Sequence, residues 1–336
     1  MKAAILRGAH DIRYETVADP IVEPTSIVIK VKACGICGSD LHLYKLGDKQ
    51  GTILGHEFSG DVTEVGADVS GIKPGDRVIA VGYRPCLECY WCKKGKVHRC
   101  SNLALSGNQL PGAFAEYISI PSAQLGINVF KLSAKLTYEE AATVEPLSVG
   151  YYSVRRAQPQ PQDTVAVIGV GIIGLGIIQI LKTMGVSRVI ATGRRHKRLE
   201  MARICGADVV IDAAREDPLA VITEITSGLG VDIVLECAGS PESFHQSIEM
   251  VRGGGKVILV ALYESSIKWD PAIVINKNVT LIGCLGGNFP KVLELLESGK
   301  INTKPLIAHQ FPLNRISEAF ETQIKAQDAI KVMVKM

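Results

Sequence analysis

The sequence predicts an α/β protein, a doubly wound parallel sheet of six strands joined to a β-rich unit encoded by the first part of the chain. Three observations predict it. From Thr164 onward, apolar strand patterns alternate with helical ones. A Gly-x-Gly-x-x-Gly loop (Gly169, Gly171, Gly174) lies between the first of those strands and the first helix. Before about residue 137 the chain instead holds short strand-like runs broken by Gly and Pro. Regular alternation is the pattern of a parallel sheet covered by helices, and short punctuated strands are that of a barrel or sandwich.

Taken in order, IVIKVKACGIC begins with alternation, DVTEVGADVSGIKPGDRVIAVG is valine-rich with turn residues, and GAFAEYISIP is a further strand. TYEEAATVEPLSVGYYSVRRA opens with Thr137 and Glu140, three apart, a capping-box pair. It reads as helix, with Pro146 opening a second helix or a kink. QPQPQD at 158–163 is a polar turn. The six strands are TVAVIGVG, RVIATG, VVID, VDIVLECAG, KVILVAL and VTLIGCLG, with helices between most of them. Gly185 and Gly206 fall where helices should end. NFPKVLELLESGK and NRISEAFETQIKAQ read as helices, and AIKVMVKM as a strand returning to the first unit. The expected domains are 1–149 with 287–336, and 150–286 between them.

A chain of 336 residues suits two domains rather than one core. A net charge of only +3 gives no reason to expect nucleic acid or a membrane surface as partner. The opening MKAAILRGAH is interrupted by Arg7, His10 and Asp11 too early for a signal peptide, and no long uncharged apolar stretch appears. A cytoplasmic location is expected. Of nine cysteines, four cluster between Cys86 and Cys100, which in a reducing compartment reads as a metal site before a disulfide set.

The glycines of VAVIGVGIIG occur where each has a mechanical role: a tight turn, close approach of a pyrophosphate, and close helix–strand packing. The following helix N-terminus offers free N–H groups to phosphate. An NAD-binding strand usually ends in an acid that takes the ribose hydroxyls. Here Gly193 holds that position, and Arg194 and Arg195 follow, with Arg198 one helical turn on. Losing the carboxylate removes repulsion against a 2′-phosphate, and guanidinium groups offer it forked hydrogen bonds. NADP(H) is therefore favoured over NAD(H). The alternative is a solvated basic helix start, although cations there oppose the helix dipole.

CLECYWCKKGKVHRC sets Cys86, Cys89, Cys92 and Cys100 at gaps of two, two and seven residues. Four thiolates on one short lobe suit a closed tetrahedral structural zinc, the alternatives being an iron–sulfur cluster or disulfides. Lys93, Lys94, Lys96 and Arg99 can offset the negative charge. A second donor set comes from distant pieces: Cys37 in CGICGSDLH, and His56 and Glu57 in GHEFSG. Sulfur, imidazole and carboxylate together suit a zinc with an open position. Read alone, Cys37 fits a small buried hydrophobe and His56 a core histidine.

Together these motifs, in this order, resemble the zinc-containing medium-chain dehydrogenase/reductase family over essentially the whole chain. VEPLSVG is similar to its sorbitol, butanediol and threonine dehydrogenase-like branch. The resemblance implies a Rossmann sheet beside a GroES-like catalytic domain and a catalytic zinc on Cys37, His56 and Glu145. Glu57 then binds that zinc directly or through water. Ser39 matches the hydroxyl that touches the substrate oxygen, and His42 the histidine that passes the proton to solvent. CLGGNF at 284–289 lacks the Arg-Tyr pair of sorbitol dehydrogenases.

These features lead to two zincs per subunit and hydride transfer between a secondary alcohol or vicinal diol, or its ketone, and NADP(H). The alternatives are a polyol or threonine-type dehydrogenase, a non-catalytic NADPH-binding protein, and a nucleic-acid-binding zinc lobe. A homodimer or homotetramer is expected, because VTLIGCLG at a sheet edge needs cover. Tyr44, the 106–112 loop and the 284–289 segment are candidate pocket walls, each with a scaffold role as its alternative.

Overall fold

The computed structural model describes residues 1–96 and 99–336. It contains two compact units, Met1–Glu145 with Ile307–Met336, and Pro146–Leu306. The second unit thus reaches further along the chain than the expected limit near residue 287. Helix Phe289–Glu297 buries Phe289, Val292, Leu293, Leu295 and Leu296. Just beyond it, Asn302 and Gln179 exchange two hydrogen bonds, 2.7 and 3.2 Å, which tie the segment to helix Ile172–Thr183.

In the first unit, strand Ile27–Gly35 is the organiser. It pairs antiparallel with Glu57–Val65, with Tyr117–Ile120 and with the closing strand Lys331–Lys335. The sheet has seven strands. The expectation that the last strand returns to the first unit is met: Gly35 stands opposite Met333 on one side and Glu57 on the other. Strand ends carrying Cys37, Glu57 and Lys331 are brought together by this register. Alternating burial places Ile27, Ile29 and Val31 in the core with Phe58, Phe114 and Phe320.

The second unit holds a six-stranded sheet in the spatial order Val209–Asp212, Arg188–Gly193, Thr164–Ile168, Val231–Glu236, Val251–Leu259, Thr280–Gly283. Every neighbouring pair is parallel. In chain order this is 3-2-1-4-5-6, the doubly wound arrangement in which ligands bind beyond the carboxyl ends of the strands, where the order reverses. Gly185 and Gly206 follow the helix ends with φ of 77° and 102°. Two elements differ from expectation. Strand Val251–Leu259 begins within VRGGG, because a register shift opposite Val231–Ile233 absorbs the glycine run. Helix Ala272–Lys277 is too short to show a helical apolar period in the sequence.

The capping box is formed. Thr137 Oγ1 accepts the Glu140 N–H at 3.2 Å, and the Glu140 carboxylate accepts the Thr137 N–H at 3.1 Å. Pro146 lies in the first turn of helix Val144–Ala157 and opens it without a kink in mid-helix. No helix of the described residues is long and apolar enough to cross a membrane. Thr137→Ala is expected to lower stability by about 1 kcal/mol in chemical denaturation, the usual effect of losing such a cap.

Candidate active site

Cys37, His56 and Glu57 converge within the first unit, with one donor atom of each within 4.8 Å of the others. Cys37 is the N-cap of helix Gly38–Leu46. Its N–H donates to Asp40 at 3.0 Å, and the same carboxylate accepts the Gly55 N–H at 3.1 Å. His56 Nδ1 lies 3.8 Å from Asp40 Oδ1. Asp40 thus pins both donor segments. Burial raises its pKa, and the neighbouring His56 pulls it back. Burial also opposes a charge on His56, but Cys37, Asp40 and Glu145 outweigh it and hold its pKa well above the usual value.

Glu57 is 1% exposed and its carboxylate receives Lys331 Nζ at 2.5 Å. Lys331 is equally buried and also donates to Ile36 O at 2.8 Å. Burial would depress the amine, yet Glu57 and Cys37 raise its pKa and keep it charged. Gly35 makes room for the pair: a Cβ there would lie 2.4 Å from Glu57 Oε2. Glu145, in the first turn of its helix, lies outside the mutually close donor set. Burial first, with Glu57 and Asp40, lifts its carboxyl to about 7 against the pull of His56 and Lys331.

Ser39 and His42 are half-buried on one face of helix Gly38–Leu46, three residues apart. Tyr44 on the same helix is scaffold. It is 1% exposed, its hydroxyl lies 3.1 Å from His10 O and 3.0 Å from Glu321 Oε1, either of which can accept its one proton, and its ring packs on Phe320. Two glycines of the 106–112 loop also pack closely, since a Cβ on Gly112 would sit 2.3 Å from Leu54 O and one on Gly107 3.1 Å from the Gly55 backbone.

The sulfurs of Cys86, Cys89, Cys92 and Cys100 form a second mutually close set. Cys89 and Cys92 Sγ are 3.6 Å apart, and Cys86 and Cys100 Sγ 3.4 Å. All four thiols are free. These spacings are near the edge of a tetrahedron with Zn–S of about 2.3 Å, roughly 3.8 Å, and far from a disulfide bond. Backbone donors from Cys92 and Ser101 push the Cys89 thiol down to about 6, which favours the thiolate a metal takes. Lys96 and Arg99 stack on the Trp91 ring, at 5.9 and 5.2 Å, so the lobe's basic residues lie against its own aromatics.

In the second unit the glycine loop shows why glycine is needed. Gly169 has φ of 98°, and a Cβ on it would lie 2.9 Å from Ala238 N. A Cβ on Gly174 would lie 1.9 Å from Gly169 O. Ala238 is held by buried Glu236, whose carboxylate accepts the N–H groups of Ala238 and Gly239 at 2.7 and 2.9 Å and the Tyr263 hydroxyl at 2.6 Å. Gly193 ends its strand as expected, and a Cβ there would come within 2.5 Å of Val170 Cγ2. Arg195 caps the next helix. Burial and then Arg195 lower the Arg198 pKa to about 10. Arg194 is ion-paired with Glu242 across the loop end. In the 284–289 segment, Gly287 packs so closely on helix Val144–Ala157 that a Cβ would lie 2.3 Å from Ser148 Oγ.

Sequence reasoning named neither Asp40, Lys331, Glu236 nor Glu242. A lysine at the start of the apolar run Val332–Val334 was the available signal for Lys331. The other three become visible only once distant segments meet.

Comparison with known proteins agrees with this geometry. The family model for the alcohol dehydrogenase GroES-like domain matches residues 23–131, and that for zinc-binding dehydrogenases residues 173–298. Sorbitol dehydrogenase of Bacillus subtilis is 34% identical over 99% of this chain and 97% of its own length. The L-threonine 3-dehydrogenase of the same organism is 35% identical over 97% and 96%. Its (R,R)-butanediol dehydrogenase is 35% identical over 100% and 99%. Among solved structures, a putative zinc-binding dehydrogenase of Sinorhizobium meliloti bound to NADP superposes with a TM-score of 0.90 at 29% identity, covering 100% and 99% of the two chains. An alcohol dehydrogenase of E. coli CFT073 complexed with NADH does so with 0.91 at 28%, covering 100% and 99%.

Both halves of the chain are therefore those of a zinc-binding dehydrogenase. The chain belongs to the zinc-containing medium-chain dehydrogenase/reductase family, in its sorbitol and threonine dehydrogenase-like branch, and is an oxidoreductase of the alcohol dehydrogenase type.

Lys331→Met would strand the Glu57 carboxylate in the interior. It is expected to cost about 3–5 kcal/mol in urea denaturation, with most of that recovered by adding Glu57→Gln. A loss below about 1 kcal/mol would mean that the pair behaves like an exposed one.

Proposed function

We propose that this protein transfers a hydride between a secondary alcohol or vicinal diol, or the corresponding ketone, and NADP(H). The observation that carries the proposal is the meeting of Cys37, His56 and Glu57 from separated segments within 4.8 Å. One sulfur, one imidazole and nearby carboxylates form a mixed donor set suited to a zinc with an open position. Cys37, His56 and Glu145 would hold a catalytic zinc, with Glu57 reaching it directly or through water. Cys86, Cys89, Cys92 and Cys100 would hold a structural one. A zinc bound at the first set supplies a Lewis acid that eases removal of the alcohol proton. The nicotinamide supplies the hydride acceptor.

The chain's own residues do the rest. Ser39 would take the alcohol proton at its hydroxyl oxygen while giving up its own, and His42, three residues along the same helix face, would carry the proton toward solvent. Gly169, Gly171 and Gly174 would let the pyrophosphate approach the backbone. Gly193, Arg194, Arg195 and Arg198 would receive a 2′-phosphate. Arg194 and Arg195 directly before helix His196–Ile204, with Arg198 in its first turn, gather three guanidinium groups at the end of the second strand, which supports an anion in that place.

Polyol and threonine-type dehydrogenation remain the alternative substrate classes. The absence of an arginine from the 284–289 segment supports the non-polyol reading. A homodimer or homotetramer would cover the open edge strand Thr280–Gly283. The cytoplasm would keep nine free thiols reduced.

Initial rates with NADP and NAD against 2,3-butanediol, sorbitol, threonine and simple alcohols test the reading. Turnover of a diol or secondary alcohol with NADP preferred is the expected result. A preference for NAD would reduce the arginines to a solvated helix start. Metal analysis should find two zincs per chain, falling to one in Cys92→Ser and in Cys37→Ser. Loss of turnover is expected in the latter, and unchanged turnover there would overturn the assignment of the catalytic site.

A further inference from the structure

The reading of Arg194 as a 2′-phosphate ligand leaves one contact unexplained. Arg194 is already engaged by the carboxylate of Glu242, which stands in the first turn of helix Pro241–Met250. That helix start is fixed, because Ser240 and Ser243 form its capping box and Pro241 opens it. The topology gives the pair its meaning. Arg194 follows strand Arg188–Gly193 and Glu242 follows strand Val231–Glu236. These two strands flank Thr164–Ile168 on either side. The ion pair therefore bridges the carboxyl end of the central strand, where the Gly169–Gly174 loop begins and where the order of the sheet reverses. A dinucleotide entering that crevice meets the pair directly.

A carboxylate at this place has two effects on a 2′-phosphate. It competes for Arg194, and it repels the phosphate. The usual acid at the end of the second strand is missing, and Gly193 could not be replaced by one without displacing Val170. Glu242 is then a carboxylate delivered to the same end of the sheet from a different element. Arg195, at the N-cap of helix His196–Ile204, and Arg198, in its first turn, would share the phosphate with Arg194 on that reading.

We propose that Glu242 sets how strongly this site discriminates a 2′-phosphorylated from an unphosphorylated adenine dinucleotide, by holding Arg194 and opposing the phosphate. The proposal rests on the reading that the arginines face the ribose 2′-position. Glu242 is a positioning and selectivity residue and takes no part in the hydride step. Both partners are more than half exposed, so the effect is screened and should be moderate.

The test is calorimetric binding of adenosine 2′,5′-bisphosphate and of 5′-AMP to the zinc-loaded full chain, which needs no turnover. Glu242→Gln is expected to tighten the bisphosphate by about 2- to 5-fold, as for an exposed charge pair, with 5′-AMP changing less than about 1.5-fold. In an Arg194→Gln background the same substitution should gain distinctly less. The proposal is overturned if Glu242→Gln leaves the ratio of the two affinities unchanged, or if the gain is just as large without Arg194. The wild-type ratio judges the NADP reading separately. No preference in wild type together with a preference created by Glu242→Gln would uphold the role of Glu242 and reject NADP as the natural cofactor. A wild-type preference untouched by the substitution would do the reverse.

Discussion

A buried ion pair between residues near the two ends of the chain holds the catalytic unit's donor cluster in place. Glu57 and Lys331 are each almost wholly removed from water, and neither charge is tolerable there alone. The pair is satisfied only if the closing strand lies in register against Ile27–Gly35, with the glycine at position 35 leaving room for the carboxylate. Once it forms, Lys331 also clamps Ile36 O, one residue before Cys37. The position of the Cys37 sulfur is in this way tied to a strand some three hundred residues further on. Replacing such a pair by apolar side chains need not destabilise a protein, so what this pair adds is the placement of Glu57.

The same unit holds two donor sets built on opposite principles. The four-cysteine lobe is local, closed and uniform, as a site that only has to hold a shape requires. The Cys37–His56–Glu57 set is non-local and mixed, and three carboxylates lie near it: Asp40, Glu57 and Glu145. Two of these have partners that hold them. Asp40 is absorbed by the N–H groups of Cys37 and Gly55, and Glu57 by Lys331. Glu145 is the one whose carboxyl is lifted to about 7 by burial and its acidic neighbours. A divalent cation bound there would offset the burial and repulsion that raise the Glu145 carboxyl, in keeping with the proposal that it is a ligand although it stands outside the closest group.

What could be read from the sequence divides along the same line of local against distant. The six parallel strands, the capping pair at Thr137 and Glu140, the helix-ending glycines and the glycine loop depend on periodicity or on neighbours within a few residues, and the structure has them where expected. The cysteine lobe was legible for the same reason. Strand Val251–Leu259 was misjudged at its start because a bulge hid the glycine run within the ladder. The boundary near residue 287 was misjudged because the Gln179–Asn302 contact, which assigns the helix to the second unit, spans more than a hundred residues. Tyr44 offered a pocket wall on paper, and its hydroxyl turned out to be consumed by His10 and Glu321. Lys331 and Asp40 act only through partners that no short window contains.

Glycine has a common task in both units, which is to let another part of the chain come close. At Gly35 the close group is a carboxylate, and at Gly169 and Gly174 it is neighbouring backbone, Ala238 in one case and Gly169 itself in the other. Gly193 differs, because what matters there is the side chain that is absent. With no acid at the strand end, the electrostatics beyond the sheet are set by residues on the two following helices, cationic on one side and Glu242 on the other. With the proposed role of Glu242, cofactor choice becomes a balance among several charges rather than a property of one residue. Such a balance is shallow, and it is open to change by single substitutions that leave the fold untouched.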